Sequence, residues 1–427
     1  MKYHFGWAKI VLGALPVCSR MVAAARFTGF EYMLNRSLET DPPASPALDP
    51  TSRLLILALC LAVAGAGLAE LLRWRSDRHE ARAQFHTQQA ATGNVSLTKV
   101  SEDIIPMPPG VPSAHASTMA ALPGNAMIAL WWAGSRESGP DVKVYASKWD
   151  GNKWSPAWQV ASRESLGAAL GFGVRRIGNP VAWTSRDGKI HLYVVATGLG
   201  GWAASRVVHL VSSTEGASFE MRRVLPMSPL FNTSVLVRTS AVGVADGGWW
   251  LPVYFELGIK YPMLMSFDAD GEPTGLARIG TRTTTLQPTI VPVSGLEVRA
   301  WMRDASDERR VQHALSRDGG ASWEDQPALD LHNENTSMAT IRLANGEFLM
   351  LHNDQVEGGS SRSTLRLSLS KDGHAWRKLA DVASGSAGDE FSYPTMQQVG
   401  NELHLTYTFQ RRAIAHHRYR ITIGEHI

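Results

Sequence analysis

The sequence predicts an all-β fold, a six-bladed β-propeller with Asp-box repeats, preceded by one apolar N-terminal helix. Three observations lead to this prediction. Short runs of alternating apolar and polar residues begin at about Val95 and continue almost to the C-terminal residue. Turn-forming pairs such as Asn-Gly and Asp-Gly separate these runs, and a variable motif of about eight residues returns roughly every 50 to 65 residues.

Alternation of apolar and polar residues is the pattern of a β-strand with one buried face. Asn-Gly or Asp-Gly between two such runs indicates a hairpin. No run after Val95 shows a helical period, so we expect antiparallel sheets throughout this region. The clearest predicted strands are MIALWW, KIHLYVV, LPVYF, LEVRAWM, EFLMLH, TLRLSLS and ELHLTYTF.

The best copy of the repeated motif is SRDGGASW, residues 316–323, which fits the Asp-box pattern S-x-D-x-G-x-S/T-W at every defined position. In such a turn the Asp accepts hydrogen bonds from backbone N–H groups, and Gly adopts a conformation that other residues disfavour. The Trp packs between strands. We therefore interpret the boxes as structural rather than catalytic. Weaker copies begin at Ser147, Ser212, Ser266 and Ser370.

A repeat of about 50 residues with strand-turn-strand content is typical of one propeller blade. Five boxes and a last set of strands, residues 402–423, give six blades. We predict that a strand from residues 95–110 closes the final blade, because this pairing removes the sheet edge between the first blade and the last. The propeller is thus expected to occupy residues 95–427.

Composition excludes several classes of protein. Of the 427 residues, 44% are hydrophobic and 19% charged, which excludes a disordered chain. The formal net charge of +3 is too small to indicate a nucleic-acid partner. Both cysteines, Cys18 and Cys60, lie within the first 60 residues, so the propeller has neither a disulfide framework nor a cysteine metal site. We expect no metal, no organic cofactor and a monomeric propeller.

Residues 54–72 form an apolar run with one charge, Glu70, which is long enough to span a bilayer. We predict a transmembrane anchor over residues 51–73. The alternatives are a buried core helix and a cleaved signal peptide. Arg73 and Arg75 follow the run directly, and no small-x-small cleavage site precedes them, so an uncleaved anchor is favoured.

The segments on either side of the anchor are less regular. Residues 1–50 are predicted to be an extension that ends in a Pro-rich linker. Residues 1–34 are either a second, weak membrane-associated segment or an over-extended gene start, with Met33 as the true beginning. Residues 74–94 are rich in Ala, Gln and Arg, and their composition predicts a helical stalk.

Two arguments about topology conflict. More arginines follow the anchor than precede it, and this asymmetry places the propeller in the cytoplasm. Glycans, however, lie outside the cytoplasm in most settings, and the family resemblance described next favours export to the periplasmic or extracellular side. We expect export. The arginines counted are Arg36 and Arg53 before the anchor, and Arg73, Arg75, Arg78 and Arg82 after it.

The repeats and several segments between them resemble the sialidase (neuraminidase) superfamily. More closely, they resemble its BNR-repeat branch of predicted neuraminidases. The likeness runs from about His115 to His417, and the ordered set of segments is more specific than the Asp-boxes alone. The matching segments are HAST (115–118), WWAGSRE (131–137), PDV (140–142), GNPV (178–181), QPT (287–289), FSYPT (391–395) and TYTFQRR (406–412).

Sialidases hold the substrate carboxylate with three arginines, a sound anchor because guanidinium forks pair with carboxylates. They use an Asp as acid/base and a Tyr nucleophile that a Glu activates. The resemblance implies that Asp141 is the acid/base and Tyr393 the nucleophile. Tyrosine nucleophiles depart from the usual scheme of two carboxylates. The structural alternatives are a hairpin-turn Asp for Asp141 and a buried aromatic side chain for Tyr393.

The resemblance also implies substrate ligands. Arg136, Arg303 and Arg362 correspond to arginines that hold the sugar. Arg303 has an alternative as a surface ion pair with Asp304 or Asp307, and Arg366 competes with Arg362 for the third position. Polar residues at strand ends, Asn179 and Asn353, are candidate ligands of sugar hydroxyl groups. His115 and Gln287 are also candidate substrate ligands.

Two departures from the family pattern bear on activity. The R-I-P motif of the family is absent, and His115 stands in place of its arginine. Gln287 stands where the Glu that activates Tyr is expected, and an amide cannot take a proton. Glu256, Asp389 and Glu390 are candidates for that role, and Glu256 is favoured.

These residues suit an anionic sugar. We therefore predict a membrane-anchored, retaining exo-glycosidase that acts on sialic acid or a uronic-acid-type sugar of a glycan. The alternative is a non-catalytic glycan-binding propeller in surface polysaccharide metabolism, which His115 and Gln287 favour. A third interpretation is a scaffold for protein partners.

Overall fold

The computed structural model describes residues 49–76, 84–85, 91–227 and 232–424. Two compact parts are described separately below, an N-terminal helix and a β-propeller. Of the predicted extension, residues 1–50, residues 1–48 lie outside the described residues, and with them Cys18 and the alternative start at Met33.

Helix α1 (Pro50–Ser76) contains the whole of the predicted anchor. Asp49, the residue before it, accepts hydrogen bonds from the backbone N–H and the hydroxyl of Ser52, which satisfies an N–H of the first turn. The 20 residues Pro50–Ala69 have a mean hydropathy of 2.0, and the leucine side chains are exposed. This helix is long and apolar enough to cross a membrane, as predicted, although a signal sequence would share these properties.

The remaining chain forms six antiparallel sheets, which are the six predicted blades. Blades 1 and 2 consist of β2 (Ser113–Ala121), β3 (Met127–Gly134), β4 (Lys143–Trp149) and β5 (Trp158–Ala161), then β6 (Arg176–Thr184), β7 (Ile190–Thr197), β8 (Ser205–Ser212) and β9 (Glu220–Val224). Blade 3 consists of β10 (Val235–Val237), β11 (Val242–Gly243), β12 (Trp249–Leu257), β13 (Ile259–Phe267) and β14 (Pro273–Arg278).

Blades 4 and 5 follow the same order, from the inner strand to the outer one. They consist of β15 (Thr285–Pro292), β16 (Val298–Asp304), β17 (Gln312–Ser316) and β18 (Glu324–Gln326), then β19 (Ala339–Arg342), β20 (Phe348–Asn353), β21 (Thr364–Ser370) and β22 (Arg377–Ser384). Blade 6 consists of β23 (Phe391–Val399), β24 (Glu402–Phe409), β25 (Ala413–Gly424) and, from the other end of the propeller sequence, β1 (Asn94–Ile104).

Strand β1 confirms the predicted closure of the last blade. It pairs antiparallel with β25, from Asn94 opposite Gly424 to Ile104 opposite Ala415. The first and last strands of the propeller therefore lie in one sheet. A free edge between blades 1 and 6 is thereby avoided.

The Asp-boxes lie where the repeat predicts, between the third and fourth strands of blades. In the best copy, the Ser316 hydroxyl accepts the N–H of Gly320 at 2.8 Å, and Asp318 accepts the N–H of Ser322 at 2.9 Å. The weaker copy in blade 2, which begins at Ser212, keeps this arrangement, because Thr214 takes the place of Asp and accepts the N–H of Ser218 at 3.0 Å. The structural interpretation of the boxes is confirmed.

Large aromatic and apolar side chains fill the spaces between blades. Trp249 of β12 stacks on Phe267 of β13 with 5.3 Å between ring centroids, and its indole N–H donates to Tyr193 of blade 2. Trp301 of blade 4 similarly donates to the Gly373 carbonyl in the box of blade 5. These contacts fix each blade against its neighbour and leave a central channel lined by the six inner strands.

Four of the inner strands carry a β-bulge near their first residues. The register shifts between His115 and Thr118 in β2, between Ile177 and Pro180 in β6, between Leu286 and Thr289 in β15, and between Ser392 and Thr395 in β23. A bulge redirects the side chains beside it. All four bulges lie at one mouth of the channel.

One feature differs from the sequence prediction. A short helix, α2 (Arg163–Leu170), connects blades 1 and 2, although no helix was expected after Val95. It forms because Ser162 and Ser165 cap each other reciprocally at its N-terminus and Gly171 ends it with a φ of +72°. Most of the predicted helical stalk, residues 74–94, lies outside the described residues. Within it, Phe85 is not helical and packs edge-on against Trp250, with 4.8 Å between ring centroids.

Candidate active site

A cavity of about 330 Å³ opens at the mouth of the channel that carries the bulges. Residues from five blades and from two connecting loops line it. The lining contains five of the residues predicted from the sequence: Asn179, Glu256, Gln287, Arg303 and Tyr393. A larger cavity of about 460 Å³ opens at the other mouth, but none of the ten predicted site residues lines it.

Arg303, near the end of β16, is half-buried and has two amide partners. Its Nε donates to Oδ1 of Asn335 at 2.6 Å, and one terminal nitrogen donates to Oε1 of Gln287 at 3.1 Å. Within the part of the chain that the structure describes, no carboxylate forms an ion pair with it. The guanidinium therefore keeps its full positive charge and has donors left for a ligand.

Tyr393 lies in the bulge of β23 with a left-handed backbone, φ +54°. Such a conformation is strained for a residue with a Cβ, and strain of this kind concentrates at functional sites. Its ring lies 4.2 Å from the ring of His115, centroid to centroid. The guanidinium carbons of Arg238 and Arg362 lie 5.2 Å and 5.7 Å from its ring centroid.

Gln287 occupies the equivalent bulge of β15, also left-handed with a φ of +51°. Its Nε2 donates to the hydroxyl of Tyr254 at 3.2 Å. Burial, and after it the negative charge of Glu256, raises the pKa of the Tyr254 phenol well above its usual value. Glu256 lies two residues further along β12 and is the carboxylate of that strand that lines the cavity.

His115 lies beneath Tyr393 rather than in the cavity wall. It is 2% exposed, and neither ring nitrogen has a hydrogen-bond partner among the described residues. Burial holds the pKa of His115 well below its usual value, and the positive charge of Arg411 acts in the same direction. The imidazole is therefore neutral at physiological pH and packs as an aromatic ring between Tyr393 and Trp132.

Arg362 is joined to Glu390 at 2.9 Å, and Glu390 also accepts hydrogen bonds from Arg411 and from the Ser392 hydroxyl. Burial alone would raise the pKa of Glu390, but these bonds and the charge of Arg362 hold it at about 2. Glu390 is therefore a permanent anion with its lone pairs occupied. Asp389 is partly exposed and accepts the N–H of Ser386 and the amide of Gln410.

Arg136 and Asp141 lie on the exposed loop between β3 and β4, and neither lines the cavity. Both oxygens of Asp141 accept hydrogen bonds from Ser135, one from the hydroxyl and one from the N–H, each at 2.8 Å. The hydroxyl bond is the main reason that the pKa of Asp141 is lowered. Glu137 and Ser138 of the same loop do line the cavity, so the loop reaches its mouth.

The two asparagines have different positions. Asn179, in the bulge of β6, lines the cavity and donates to the carbonyl of Val237 at 3.2 Å. Asn353 is buried outside the cavity lining, and its amide donates to the carbonyls of Phe391 and Thr364 at 2.7 and 3.1 Å. Asn353 thus supports the strand that carries Tyr393.

Several residues at the site were not predicted. Trp132 and Glu137 belong to a segment that was used for the resemblance, but neither was chosen. Trp202 follows two glycines in the loop before β8, and that loop gives no strand signal. Arg238, fully buried in the channel, directly follows the three apolar residues of β10. Among the described residues, no cluster of three or more His, Cys, Asp or Glu side chains could hold a metal ion.

Comparison with known proteins agrees with this architecture. A family model described as a BNR repeat-like domain matches residues 125–405. A crystal structure of a protein of unknown function from Dyadobacter fermentans has a TM-score of 0.62 and 15% identity, covering 76% of this chain and 99% of that one. No curated protein matches the sequence.

Two solved sialidase structures are also similar. For Trypanosoma rangeli sialidase in complex with the inhibitor DANA, the TM-score is 0.58 at 14% identity, over 75% of this chain and 59% of that one. For the intramolecular trans-sialidase from Ruminococcus gnavus, it is 0.56 at 11% identity, over 72% and 94%. At such identities the likeness concerns the fold alone. Because the family model covers more than half of its length, the chain belongs to the BNR repeat-like domain family.

Proposed function

We propose that the protein is a membrane-anchored, sialidase-like glycosidase that removes an acidic sugar from the end of a glycan. The observation that carries this proposal is the guanidinium of Arg303, which lines the cavity and, among the described residues, has amide partners but no carboxylate partner. A sugar carboxylate would supply the missing negative charge through a charge-assisted, forked pair of hydrogen bonds. Trp132 and Trp202 in the wall offer apolar faces to the sugar ring.

The proposed reaction is a retaining displacement. The phenolic oxygen of Tyr393 attacks the anomeric carbon while the bond from that carbon to the leaving oxygen breaks. Asp141 donates a proton to the leaving oxygen, and Glu256 accepts the phenolic proton. Water then attacks the glycosyl-enzyme, with Asp141 taking a proton from it, and Tyr393 regains its proton. Arg136 and Arg362 assist Arg303, and Asn179 binds a hydroxyl group.

The position of Asp141 sets a condition on this mechanism. Its hydrogen bonds to Ser135 favour the ionised form, whereas a general acid must carry a proton. The loop that bears it must therefore change conformation when substrate binds. Glu137 is a second candidate for the acid because it already lines the cavity, although it is paired with Arg411.

The rival proposal is a glycan-binding propeller without turnover. A specific observation favours it: Gln287, in the place of an activating carboxylate, is engaged with Tyr254 and Arg303 and cannot accept the proton of Tyr393. In this case Arg303 and the aromatic wall bind the acidic sugar, and Tyr393 contributes only its ring.

A turnover screen of the full chain in detergent distinguishes the two. Fluorogenic sialosides and a panel of uronides would be offered to the protein and to Tyr393→Phe, Asp141→Asn and Arg303→Met. Release that is lost in the first two variants establishes the glycosidase. No release by any protein, with acidic-sugar binding that Arg303→Met abolishes and Tyr393→Phe retains, establishes the binding protein. Binding unaffected by Arg303→Met would contradict both proposals.

We further propose that helix α1 anchors the propeller on the periplasmic or extracellular side, where glycans occur. Fusing reporters to the C-terminus tests this directly. Activity of a reporter that works only outside the cytoplasm is expected. Activity of a strictly cytoplasmic reporter would reverse the assignment.

A further inference from the structure

The channel beneath the cavity contains a fully buried arginine, Arg238, that the proposed reaction does not use. It follows β10 of blade 3, and its terminal nitrogens donate to the carbonyls of Ser117 and Pro394 at 3.2 and 3.0 Å. Neither partner is a carboxylate, and its Nε has no hydrogen-bond partner within the described residues. An uncompensated buried charge is costly, and burial lowers the pKa of Arg238 to about 10.

The two carbonyl partners of Arg238 belong to the bulges of two other blades. Ser117 lies in the bulge of β2, next to the left-handed Ala116, and Pro394 directly follows the left-handed Tyr393 in the bulge of β23. Thr395 Oγ1 also donates to the Ser117 carbonyl at 2.8 Å. Arg238 therefore links the bulge of β2 to the bulge of β23, which carries Tyr393, through hydrogen bonds.

The guanidinium of Arg238 also contacts the ring of Tyr393. Its carbon lies 5.2 Å from the ring centroid, which is within the range of a cation–π interaction. Other charged or titratable groups face Tyr393 from neighbouring elements or share its cavity; they are His115, Glu137, Tyr254, Glu256, Arg303, Arg362 and Glu390.

We propose that Arg238 is the positioning residue of Tyr393, which holds the bulge of β23 in its left-handed conformation and so places the phenol at the cavity. The inference rests on the proposed function only in treating Tyr393 as the nucleophile. The contacts themselves do not depend on turnover.

The test is the crystal structure of the full chain in detergent, solved for the wild type and for Arg238→Met. In Arg238→Met, we expect Tyr393 to change from its φ of +54° to a negative φ, because the donors to the carbonyls of Ser117 and Pro394 are lost. Arg238→Lys, which keeps a charged donor, should return Tyr393 to a positive φ.

Arg342→Met is the matched control. Like Arg238, Arg342 lines the larger cavity and donates to backbone carbonyls, but these are the carbonyls of Val293 and Gly346 rather than those of the two bulges. We expect Tyr393 to keep its positive φ in this variant. A positive φ at Tyr393 in a folded Arg238→Met protein would overturn the proposal, as would a negative φ in Arg342→Met. If Arg238→Met does not fold, Arg238→Gln provides an uncharged comparison with a donor retained.

Turnover is measured separately on the same proteins. If the glycosidase proposal holds, Arg238→Met lowers kcat with little change in KM, because the residue does not line the cavity at the bulges. A changed φ at Tyr393 in Arg238→Met without turnover in any protein supports the role of Arg238 and refutes the glycosidase. Turnover, with an unchanged φ at Tyr393 in Arg238→Met, supports the glycosidase and refutes the role of Arg238.

Discussion

Gly320, in the Asp-box of blade 4, offers a quantitative test of how the blades pack. Its φ is +85°, and a Cβ added there would lie 2.9 Å from Cζ2 of Trp250 and still closer to Cη2. Trp250 belongs to blade 3 and is 2% exposed. Since the indole is enclosed by Phe85 and other apolar side chains, it cannot move away freely. Gly320→Ala should therefore displace the ring and destabilise the interface.

The size of the effect follows from two contributions. An alanine in a left-handed conformation costs about 1 kcal/mol or somewhat more. Overpacking against a rigid side chain adds about 1–3 kcal/mol. Gly188 is the matched control, because its φ of +82° is nearly the same but nothing lies within 4 Å of its Cβ position. We expect the free energy of unfolding to fall by the first contribution alone in Gly188→Ala and by both contributions in Gly320→Ala.

Urea unfolding in detergent, followed by tryptophan fluorescence, measures both variants against the wild type. The expected difference between them is about 1–3 kcal/mol in the free energy of unfolding, if the slopes with denaturant agree. Equal losses of stability in the two variants would refute the reasoning, because they would mean that the Trp250 indole moves away from the added methyl group at no cost in free energy. A larger loss in Gly188→Ala would refute it as well.

Three further outcomes are expected. Burial lowers the pKa of His191 and His404 to about 4. Below pH 6.5 the unfolded chain therefore binds protons that the folded chain does not. The free energy of unfolding, measured by urea unfolding against pH, should fall by about 2 kcal/mol per histidine between pH 7 and pH 5. Gln287→Glu places a carboxylate beside Arg303 and should weaken binding of an acidic sugar about tenfold in titration calorimetry. Phe85→Ala should cost about 3 kcal/mol in the same unfolding assay.

The fold was predictable because its signals are local. A box such as residues 316–323 specifies its own turn through Ser316, Asp318 and Gly320, which hydrogen-bond within eight residues of each other. The spacing of the boxes then gives the number of blades. Helix α2 was missed because it has only eight residues, and Ser165 rather than Glu or Gln completes its capping box.

The site was predictable in part. Five of ten proposed residues line one cavity because they lie in the bulges of inner strands or near the ends of the strands that follow them. The family pattern marked these positions. Asn353 has the same kind of position, at the end of β20, but its amide is taken up by the carbonyls of Phe391 and Thr364. Sequence alone does not show which way such a side chain turns.

Arg238 could not have been found by spacing or pattern. Its partners, Ser117 and Pro394, lie in blades 1 and 6 and more than 100 residues away in either direction. They meet only because the inner strands converge on the channel.

This convergence explains why the outer turns and the inner bulges of the propeller differ in how they tolerate sequence change. The outer turns are repeated boxes whose own turn is fixed by hydrogen bonds within one segment, so a copy can vary, as Thr214 has replaced Asp, and still keep its turn. The inner bulges are held by contacts between blades, such as the Ala116 N–H to Thr408 Oγ1 and the guanidinium of Arg238 to Pro394. A change in one blade therefore alters the position of a side chain in another. For that reason the chemistry of this family should depend on combinations of inner-strand residues, and His115, Gln287 and Arg238 are best tested together rather than singly.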